Sequence, residues 1–462
     1  MPKALGRIAC TTIIHAIVSV IAVDRVRAAD RVEPPIPSAE RGYRVLTEKP
    51  FLAPDFDQEV FDHLWKMWEE PLRSRAEKAT PSERRAMAFS RYGLTEAPGR
   101  EGKGALQYVD DGQGGWVMNC LACHGGKVAG RPVAGLPNSH YALETLTEEV
   151  RQTKILLHKP LARMDVGSLF MPLGTSNGTT NSVMFGVALM AYRDADLNVH
   201  PDNPRPEMMH HDHDAPPWWH MRKKRRLYSD VFVQKGHRAL MQFMMVPKNG
   251  PEKFREWEQD FKDVQAWIES LEAPAYPWEI DQSLAGQGEQ VFNQSCARCH
   301  GTYGAAPTYP ELIVPIEEIQ TDRVRLDALT VQQRQGYAAS WFAHYGEQEI
   351  ITDPGGYAAP PLDGIWATAP YLHNGSAPTL WHLLHPEDRP KVWLRTEDGY
   401  DQQRVGLEVS AFEALPDHVT TTAERRRYFD TTRFSKSAAG HYFPNELNEA
   451  EKQAVLEYLK TL

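Results

Sequence analysis

Cys296-Ala297-Arg298-Cys299-His300-Gly301 is the stretch from which the architecture of this chain follows, and it repeats an earlier stretch, Cys120-Leu121-Ala122-Cys123-His124-Gly125. Two cysteines three positions apart, followed at once by histidine, form the attachment signature of c-type haem. The spacing suits the chemistry because both thiols join one edge of the porphyrin while the histidine reaches the iron. The sequence therefore predicts two covalently bound haem c groups, tethered by Cys120, Cys123, Cys296 and Cys299 and ligated by His124 and His300.

The number of cysteines also restricts which functions the chain can have. The chain has 5 cysteines, and the one outside the two motifs, Cys10, lies in the apolar N-terminal run. No pair remains for a disulfide bond, and cysteine nucleophiles are disfavoured. The alternative use of the paired cysteines is a structural zinc site, which would leave the protein colourless.

The N-terminus has the order of a secretory signal. Lys3 and Arg7 precede an apolar run over residues 8–23, and Ala28-Ala29 follows. This order predicts a signal peptide over residues 1–28. The alternative is an uncleaved anchor, but the run is short against the roughly 20 apolar residues that span a bilayer. We expect a periplasmic or secreted bacterial protein with no stable membrane span after cleavage.

Charge restricts the partners. The formal net charge is -10, which does not steer a protein to nucleic acid. We expect partners with a neutral or basic docking face, such as small redox proteins or quinone-linked electron carriers.

The apolar periodicity predicts a mainly α fold with two tandem cytochrome c-like haem domains. In each, the haem motif leads into a long wrap and a closing amphipathic helix, over 251–271 and 447–462. The predicted domains cover 101–273 and 283–462, after a helical N-terminal extension over 29–100.

Other elements are predicted from local signals. Residues 30–55 are predicted to be an extended lead-in. Thr80-Pro81 predicts a capped helix that ends at Gly93. Further helices are predicted over 56–72, 141–157 and 283–292.

A second signature lies further along the chain: Pro360-Pro361-Leu362-Asp363-Gly364-Ile365-Trp366-Ala367-Thr368-Ala369-Pro370-Tyr371-Leu372-His373-Asn374-Gly375-Ser376. It resembles the second-domain signature of bacterial di-haem peroxidases and their relatives, the rubber oxygenases and the di-haem enzyme of methylamine utilisation. The resemblance implies two haems of unequal role, one that reacts with a peroxide or oxygen species and one that relays electrons. It also implies a calcium ion between the domains. The wrap from Gly126 onward, by contrast, matches no peroxidase signature.

The sixth ligand of each iron decides between electron transfer and chemistry at the metal. For the second haem the candidates are His373 and then His385, and the alternative for each is an ordinary hydrogen-bonding histidine. For the first haem the candidate is Met171, because methionine before proline at this distance is the distal arrangement of many single-haem cytochromes. The alternative is that Met171 packs in the core.

Three further segments have a functional and a structural interpretation. The His210–Asp214 stretch (HHDHD) suits a zinc or copper site, or it is a loop in which a histidine, or His220 after it, caps a haem. Trp218-Trp219 either lies against or between the haems or packs in the core. The basic run 222–226 is a solvated face or contacts haem propionates. The carbonyl of Pro132 or Pro137 is a candidate acceptor for the ring N–H of His124.

Two function classes follow from these residues. The first is a periplasmic di-haem cytochrome that carries out electron transfer. The second is a di-haem enzyme that acts on hydrogen peroxide or inserts oxygen into an organic substrate. The haem motifs indicate a redox centre, and no stretch indicates a substrate, so electron transfer is the leading hypothesis.

Overall fold

The computed structural model describes residues 36–102 and 104–462. The predicted signal peptide therefore lies outside the described residues. Contacts group Ser38–Leu462 into one unit, in which helices outweigh strands. The predicted boundaries of the two haem domains stay a prediction.

The helices are mostly short, and the longest ones lie where the apolar periodicity is strongest. The α-helices cover Ala39–Glu48, Gln58–His63, Leu72–Lys78, Pro81–Tyr92, Leu121–His124, Leu143–Leu156, Arg163–Gly167, Ser182–Ala191, His237–Met241, Pro251–Glu256, Glu258–Ser270, Gln282–Ser295, Ala297–His300, Ile316–Ile319, Val324–Ala328, Val331–Ala338, Leu380–Leu384, Thr422–Arg427 and Glu449–Leu459. Single 3-10 turns cover Leu64–Met67, Trp218–Arg222, Gln242–Met244, Trp341–Gly346, Ile365–Ala367, Pro386–Asp388 and Phe443–Glu446.

Two helix crossings give the molecule an internal repeat. Ala39–Glu48 crosses Glu258–Ser270, and Gln282–Ser295 crosses Glu449–Leu459. Each crossing is centred on a glycine, because a side-chain carbon at Gly42 or Gly288 would lie 2.0 Å or 1.9 Å from a backbone carbonyl oxygen of the partner helix. The first crossing therefore takes one of its helices, Ala39–Glu48, from the segment that the sequence predicted to be extended, and that prediction was wrong over 39–48.

Capping signals predicted helix ends well. Thr80 forms a capping box with Glu83, and Gly93 ends the helix Pro81–Tyr92 in the left-handed conformation. The predicted helix over 141–157 is Leu143–Leu156, and that over 283–292 is Gln282–Ser295. The predicted helix over 56–72 is broken instead, because Phe56–Asp57 pairs as a strand with Gly115–Met118.

Small antiparallel sheets connect the helices. One has the order Phe56–Asp57, Gly115–Met118, Tyr108–Asp110, and another has the order Gly406–Phe412, Val392–Asp401, Tyr428–Asp430. The two-stranded sheets pair Lys127–Val128 with Arg131–Pro132, Thr179–Thr180 with His213–Asp214, Arg226–Leu227 with Val233–Gln234, and Ile313–Pro315 with Gly356–Ala358.

The apolar core adjoins both cysteine motifs. Cys296 packs against a cluster that contains Phe292 and Tyr458, from the second helix crossing. Cys120 packs against a cluster that contains Trp218 and Trp267, and Trp267 belongs to the helix Glu258–Ser270 of the first crossing. Each crossing thus supplies apolar walls beside one motif.

Candidate haem-attachment sites

The second motif begins where a helix ends. Cys296 is the C-cap of Gln282–Ser295, and the short helix Ala297–His300 turns the histidine inward. Nδ1 of His300 lies 2.8 Å from the carbonyl oxygen of Pro360. Because a carbonyl only accepts, Nδ1 carries the proton and Nε2 keeps its lone pair. Burial also lowers the pKa of His300, so the ring is a neutral imidazole ready to bind iron.

A second histidine lies opposite this ring. The ring centroids of His300 and His441 are 6.3 Å apart, and the rings are tilted by 64°. Two imidazoles on opposite sides of one metal ion have centroids about 6 Å apart, since each metal–nitrogen bond is about 2 Å. Within the described ranges Nδ1 of His441 is buried and has no hydrogen-bond partner. The residues present therefore fit a haem iron held between His300 and His441.

The loop that carries His441 is held in place by its backbone. The amide of His441 donates to Ile319 at 2.7 Å, and Nη1 of Arg389 donates to the carbonyls of Ala438 and Gly440 at 2.6 Å and 2.8 Å. Burial lowers the pKa of His441 to about 3. His441 is thus an oriented, neutral ring.

The histidines that the sequence favoured for this role have other partners. His373 lies 4.4 Å from the ring of Tyr357, and His385 stacks on Trp381 at 4.2 Å. Nε2 of His385 also contacts Glu449 at 3.1 Å, and Nδ1 of His382 contacts the hydroxyl of Thr379 at 2.7 Å. The structure brings the ring of His441 to that of His300, and the roles of His373 and His385 as ligands of the second haem stay predictions.

The first motif has a different environment. The side chain of Asn119 accepts from the amide of Leu121 at 2.8 Å and so starts the helix Leu121–His124. The ring of Trp218 stacks on that of His124, with centroids 4.5 Å apart and planes at 20°. Burial lowers the pKa of His124 to about 4, against a raising effect of the Pro216 carbonyl. Nδ1 of His124 is buried and has no hydrogen-bond partner of good geometry within the described residues.

A repeated tripeptide places a proline carbonyl near each motif histidine. Ala215-Pro216-Pro217 and Ala359-Pro360-Pro361 are the same tripeptide, and the first proline of each faces the motif histidine. The sequence analysis placed this role on Pro132 or Pro137, whereas the carbonyl that acts on the pKa of His124 is that of Pro216, although Nδ1 forms no hydrogen bond with it. The repeated tripeptide was the signal that would have found it.

One residue connects the two halves. The carbonyl oxygen of Asp363 accepts from Nε1 of Trp219 at 2.7 Å and from Nε2 of His220 at 2.8 Å, and its carboxylate pairs with Lys223 at 2.7 Å. His220 is therefore a bridge to the second half. The rest of the basic run also pairs across the halves, since Arg225 contacts Glu311 at 3.2 Å.

The remaining candidates lie apart from the second motif. Met171 is buried after the helix Arg163–Gly167, and its role as a ligand of the first haem stays a prediction. Asp212 of the histidine-rich stretch pairs with Lys436 at 2.8 Å and accepts from Thr179 at 2.7 Å. Among the described residues no group of three His, Cys, Asp or Glu side chains is placed to hold a metal ion, so the zinc or copper interpretation is not supported. The predicted calcium stays a prediction.

Comparison with known proteins adds a family likeness. A family described as RoxA-like, cytochrome c-like matches residues 356–394, which include the stretch from Pro360 to Ser376. Two uncharacterized proteins of Sinorhizobium fredii are similar to the chain, y4iM at 31% identity and y4iJ at 40% identity. The matches cover 38% and 45% of this chain and 45% of each relative, so the chain spans less than half the length of the curated relatives it matches. The likeness supports a c-type cytochrome with covalently bound haem c. Across residues 36–102 and 104–462, no helix is long and apolar enough to cross a membrane.

Proposed function

We propose that the protein is an exported di-haem c-type cytochrome that transfers electrons between other redox carriers. The observation that carries this proposal is the spacing of 6.3 Å between the rings of His300 and His441. Haem c supplies a one-electron iron couple when it is bound. Two strong protein ligands favour electron transfer over chemistry at the metal.

The protein's part is to hold the two rings still. The carbonyl of Pro360 accepts from Nδ1 of His300 and so fixes its tautomer and orientation. Arg389 and Ile319 hold the backbone on both sides of His441. The ring of His300 is thus fixed by its own hydrogen bond, whereas His441 is held through its backbone.

A chain of contacts connects the two motif histidines. Trp218 stacks on His124 at 4.5 Å, and the next residue, Trp219, donates to the carbonyl of Asp363 at 2.7 Å. Asp363 follows Pro360 by three positions, and Pro360 accepts from His300. These contacts support the assignment of Trp218-Trp219 as the route for electrons between the sites.

The partners in this proposal are small redox proteins or quinone-linked carriers outside the cytoplasm. The net charge of -10 favours partners with a basic or neutral docking face, since charge complementarity speeds encounter. The apolar run over residues 8–23 supports export to the periplasm or the cell surface.

The contrast between the two motifs favours a second candidate, a di-haem peroxidase or oxygenase. Within the described residues the aromatic ring beside His124 is Trp218, and no second histidine ring lies near it as His441 lies near His300. A haem with one strong ligand keeps a position for a small molecule. The likeness to RoxA-like proteins at residues 356–394 points in the same direction.

Two measurements on the whole protein test the proposal and separate the candidates. Intact mass after acid and organic extraction should show two haems retained, and loss of haem to the organic phase would contradict the proposal. Spectra of the reduced protein with and without carbon monoxide should show a second haem that stays low-spin. Binding of carbon monoxide at the first haem, unchanged by Met171→Ala, would favour the enzyme, whereas a first haem that opens only in Met171→Ala would favour the electron carrier.

A further inference from the structure

A group of buried nitrogen atoms lies between the two halves and has no role in the proposed function. We call it the arginine–imidazole cluster, and it consists of Arg325, His211, His213 and His373. The rings of His211 and His213 are 4.5 Å apart, and those of His213 and His373 are 6.4 Å apart. Tyr357 connects the histidines to the segment of Arg325, since its ring lies 4.4 Å from that of His373 and its hydroxyl donates to the carbonyl of Asp322 at 2.8 Å, three positions before Arg325. Burial, and to a smaller extent the positive charge of Arg325, lower the pKa of all three histidines.

Several polar atoms of this cluster have no partner. Nε and Nη1 of Arg325, Nε2 of His211 and Nε2 of His213 are buried without a hydrogen bond within the described ranges. Arg325 is 1% exposed. A buried guanidinium nitrogen without an acceptor is costly, and such atoms in folded proteins are normally satisfied by a protein group, an ordered water or a bound group.

The charges around Arg325 are also unbalanced. Asp230 pairs with Nη2 of Arg325 at 2.8 Å and with Nη2 of Arg334 at 2.6 Å, so one carboxylate serves two guanidinium groups. Asp322, the next acid in this region, uses its oxygens on the amides of Val324 and Ser437. The two buried guanidinium groups therefore carry one positive charge more than the carboxylate that they share, and Asp353, which also acts on Arg334, is exposed.

We propose that Nε and Nη1 of Arg325 bind a carboxylate of a ligand that lies between His211, His213 and His373. A carboxylate matches both deficits, because it supplies the missing acceptors and the missing negative charge. It has two possible sources, a propionate of the haem attached at Cys120–His124 and a free organic acid. The propionate source rests on the proposed function.

The position of the cluster suits the first haem. The guanidinium of Arg325 lies 5.6 Å from the ring centroid of Tyr228, and Tyr228 and Cys120 pack against the same apolar cluster. The propionates leave a porphyrin away from the edge that carries its thioether bonds. Arg325 and Cys120 are thus connected through one apolar cluster, so a propionate of the first haem is the first source to test.

Arg325→Gln and Arg334→Gln form a matched pair for the test. Both arginines are 1% exposed and share Asp230. Arg334 differs because its Nε and Nη1 already donate to the carbonyls of Leu329 and Ile351. Loss of either disturbs the pairing with Asp230, but only loss of Arg325 removes the donors proposed for the carboxylate.

The measurement is the reduction potential of the first haem in the holoprotein between pH 5 and 8, together with calorimetric titration by acetate and succinate. If a propionate is bound, the wild-type potential is constant over this range, Arg325→Gln lowers it and makes it fall with pH, and Arg334→Gln does neither. Titration of the cluster histidines does not change the potential in this pH range, because burial lowers the pKa of His211 to about 4 and that of His373 to about 3. If a free acid is bound, the wild type takes up acetate or succinate saturably and Arg325→Gln binds it at least tenfold more weakly.

Three results would overturn the proposal. One is an equal response of Arg325→Gln and Arg334→Gln in both measurements, because Arg325 would then be only a partner of Asp230. Another is a wild-type potential that already falls with pH, with no uptake of either acid, and this result needs no variant to fold. The last is a wild type that has a constant potential and takes up neither acid, together with an Arg325→Gln variant whose potential is also constant and equal to that of the wild type. Each of these is obtained with both haems in place, so it is distinct from the loss of haem that would contradict the proposed function.

Discussion

The two haem motifs share one signature and differ in what faces their histidines. His300 has a carbonyl on Nδ1 at 2.8 Å and a second imidazole at 6.3 Å. His124 has a tryptophan ring at 4.5 Å and a buried Nδ1 without a partner of good geometry. This difference shows that the cysteine motif determines where a haem is attached, whereas segments far from the motif in sequence determine the reactivity of its iron.

The largest expected effect comes from removing the cysteines of one motif at a time. Cys120→Ala with Cys123→Ala, and Cys296→Ala with Cys299→Ala, should each reduce the covalent haem content from two to one, because thioether bonds need the thiols. Intact mass measures the content. Loss of both haems from either variant would mean that the two sites do not form independently.

The next effect is on the second iron. His441→Ala should convert the second haem from low-spin to high-spin and let it bind carbon monoxide, because His441 is the imidazole opposite His300. His385→Ala is the matched control, since His385 contacts Trp381 and Glu449, and its spectrum should be that of the wild type. A low-spin His441→Ala variant together with a high-spin His373→Ala variant would return the assignment to His373.

The two helix crossings predict a pair of stability effects. Gly288→Ala and Gly42→Ala should each destabilise the protein by about 1–3 kcal/mol, because a new side-chain carbon would meet a partner-helix carbonyl at 1.9 Å and 2.0 Å. Gly286→Ala is the control, since this helical glycine has nothing within 4 Å, and it should stabilise by about 0.5–1 kcal/mol. Chemical denaturation measures the free energies of unfolding. A neutral Gly42→Ala variant would show that the first crossing does not match the second.

The smallest expected effect is on electron exchange between the sites. Trp219→Phe removes the N–H that donates to Asp363 at 2.7 Å and should slow exchange between the haems severalfold, with both spectra unchanged. Trp393→Phe is the control, because Trp393 is as deeply buried and its N–H donates to Ser376. Flash reduction followed at the two haems measures the rate. Equal rates in both variants would remove Trp219 from the route.

Local signals in the sequence predicted the five described helices of more than ten residues, which are Pro81–Tyr92, Leu143–Leu156, Glu258–Ser270, Gln282–Ser295 and Glu449–Leu459. Thr80, Glu83 and Gly93 predicted their helix because capping depends on neighbours within a few positions. The helix Ala39–Glu48 was missed because prolines and charged residues flank it in the sequence. Its place depends on Arg41 and Ser38, which contact Asp263 far along the chain at 2.9 Å and 2.7 Å.

His441 was out of reach as a candidate for the same reason. It follows Gly440 in an irregular segment near Ile319, and nothing in its neighbours marks it as a partner of His300. His373 lies in a marked signature and was therefore favoured, yet its ring contacts Tyr357. The hairpin of Val392–Asp401 and Gly406–Phe412 was also missed, because the helical periodicity elsewhere in the chain favoured a mainly α fold.

The docking of Gly440 has a consequence for how folding can be observed. A side-chain carbon at Gly440 would lie 2.3 Å from the amide nitrogen of Thr321, so His441 reaches His300 only when these distant segments are in close contact. The colour of the second haem then reports on tertiary structure. A visible spectrum recorded during denaturation would follow the release of this one segment, while circular dichroism follows the helices, and a gap between the two curves would show a partly unfolded state without any added label.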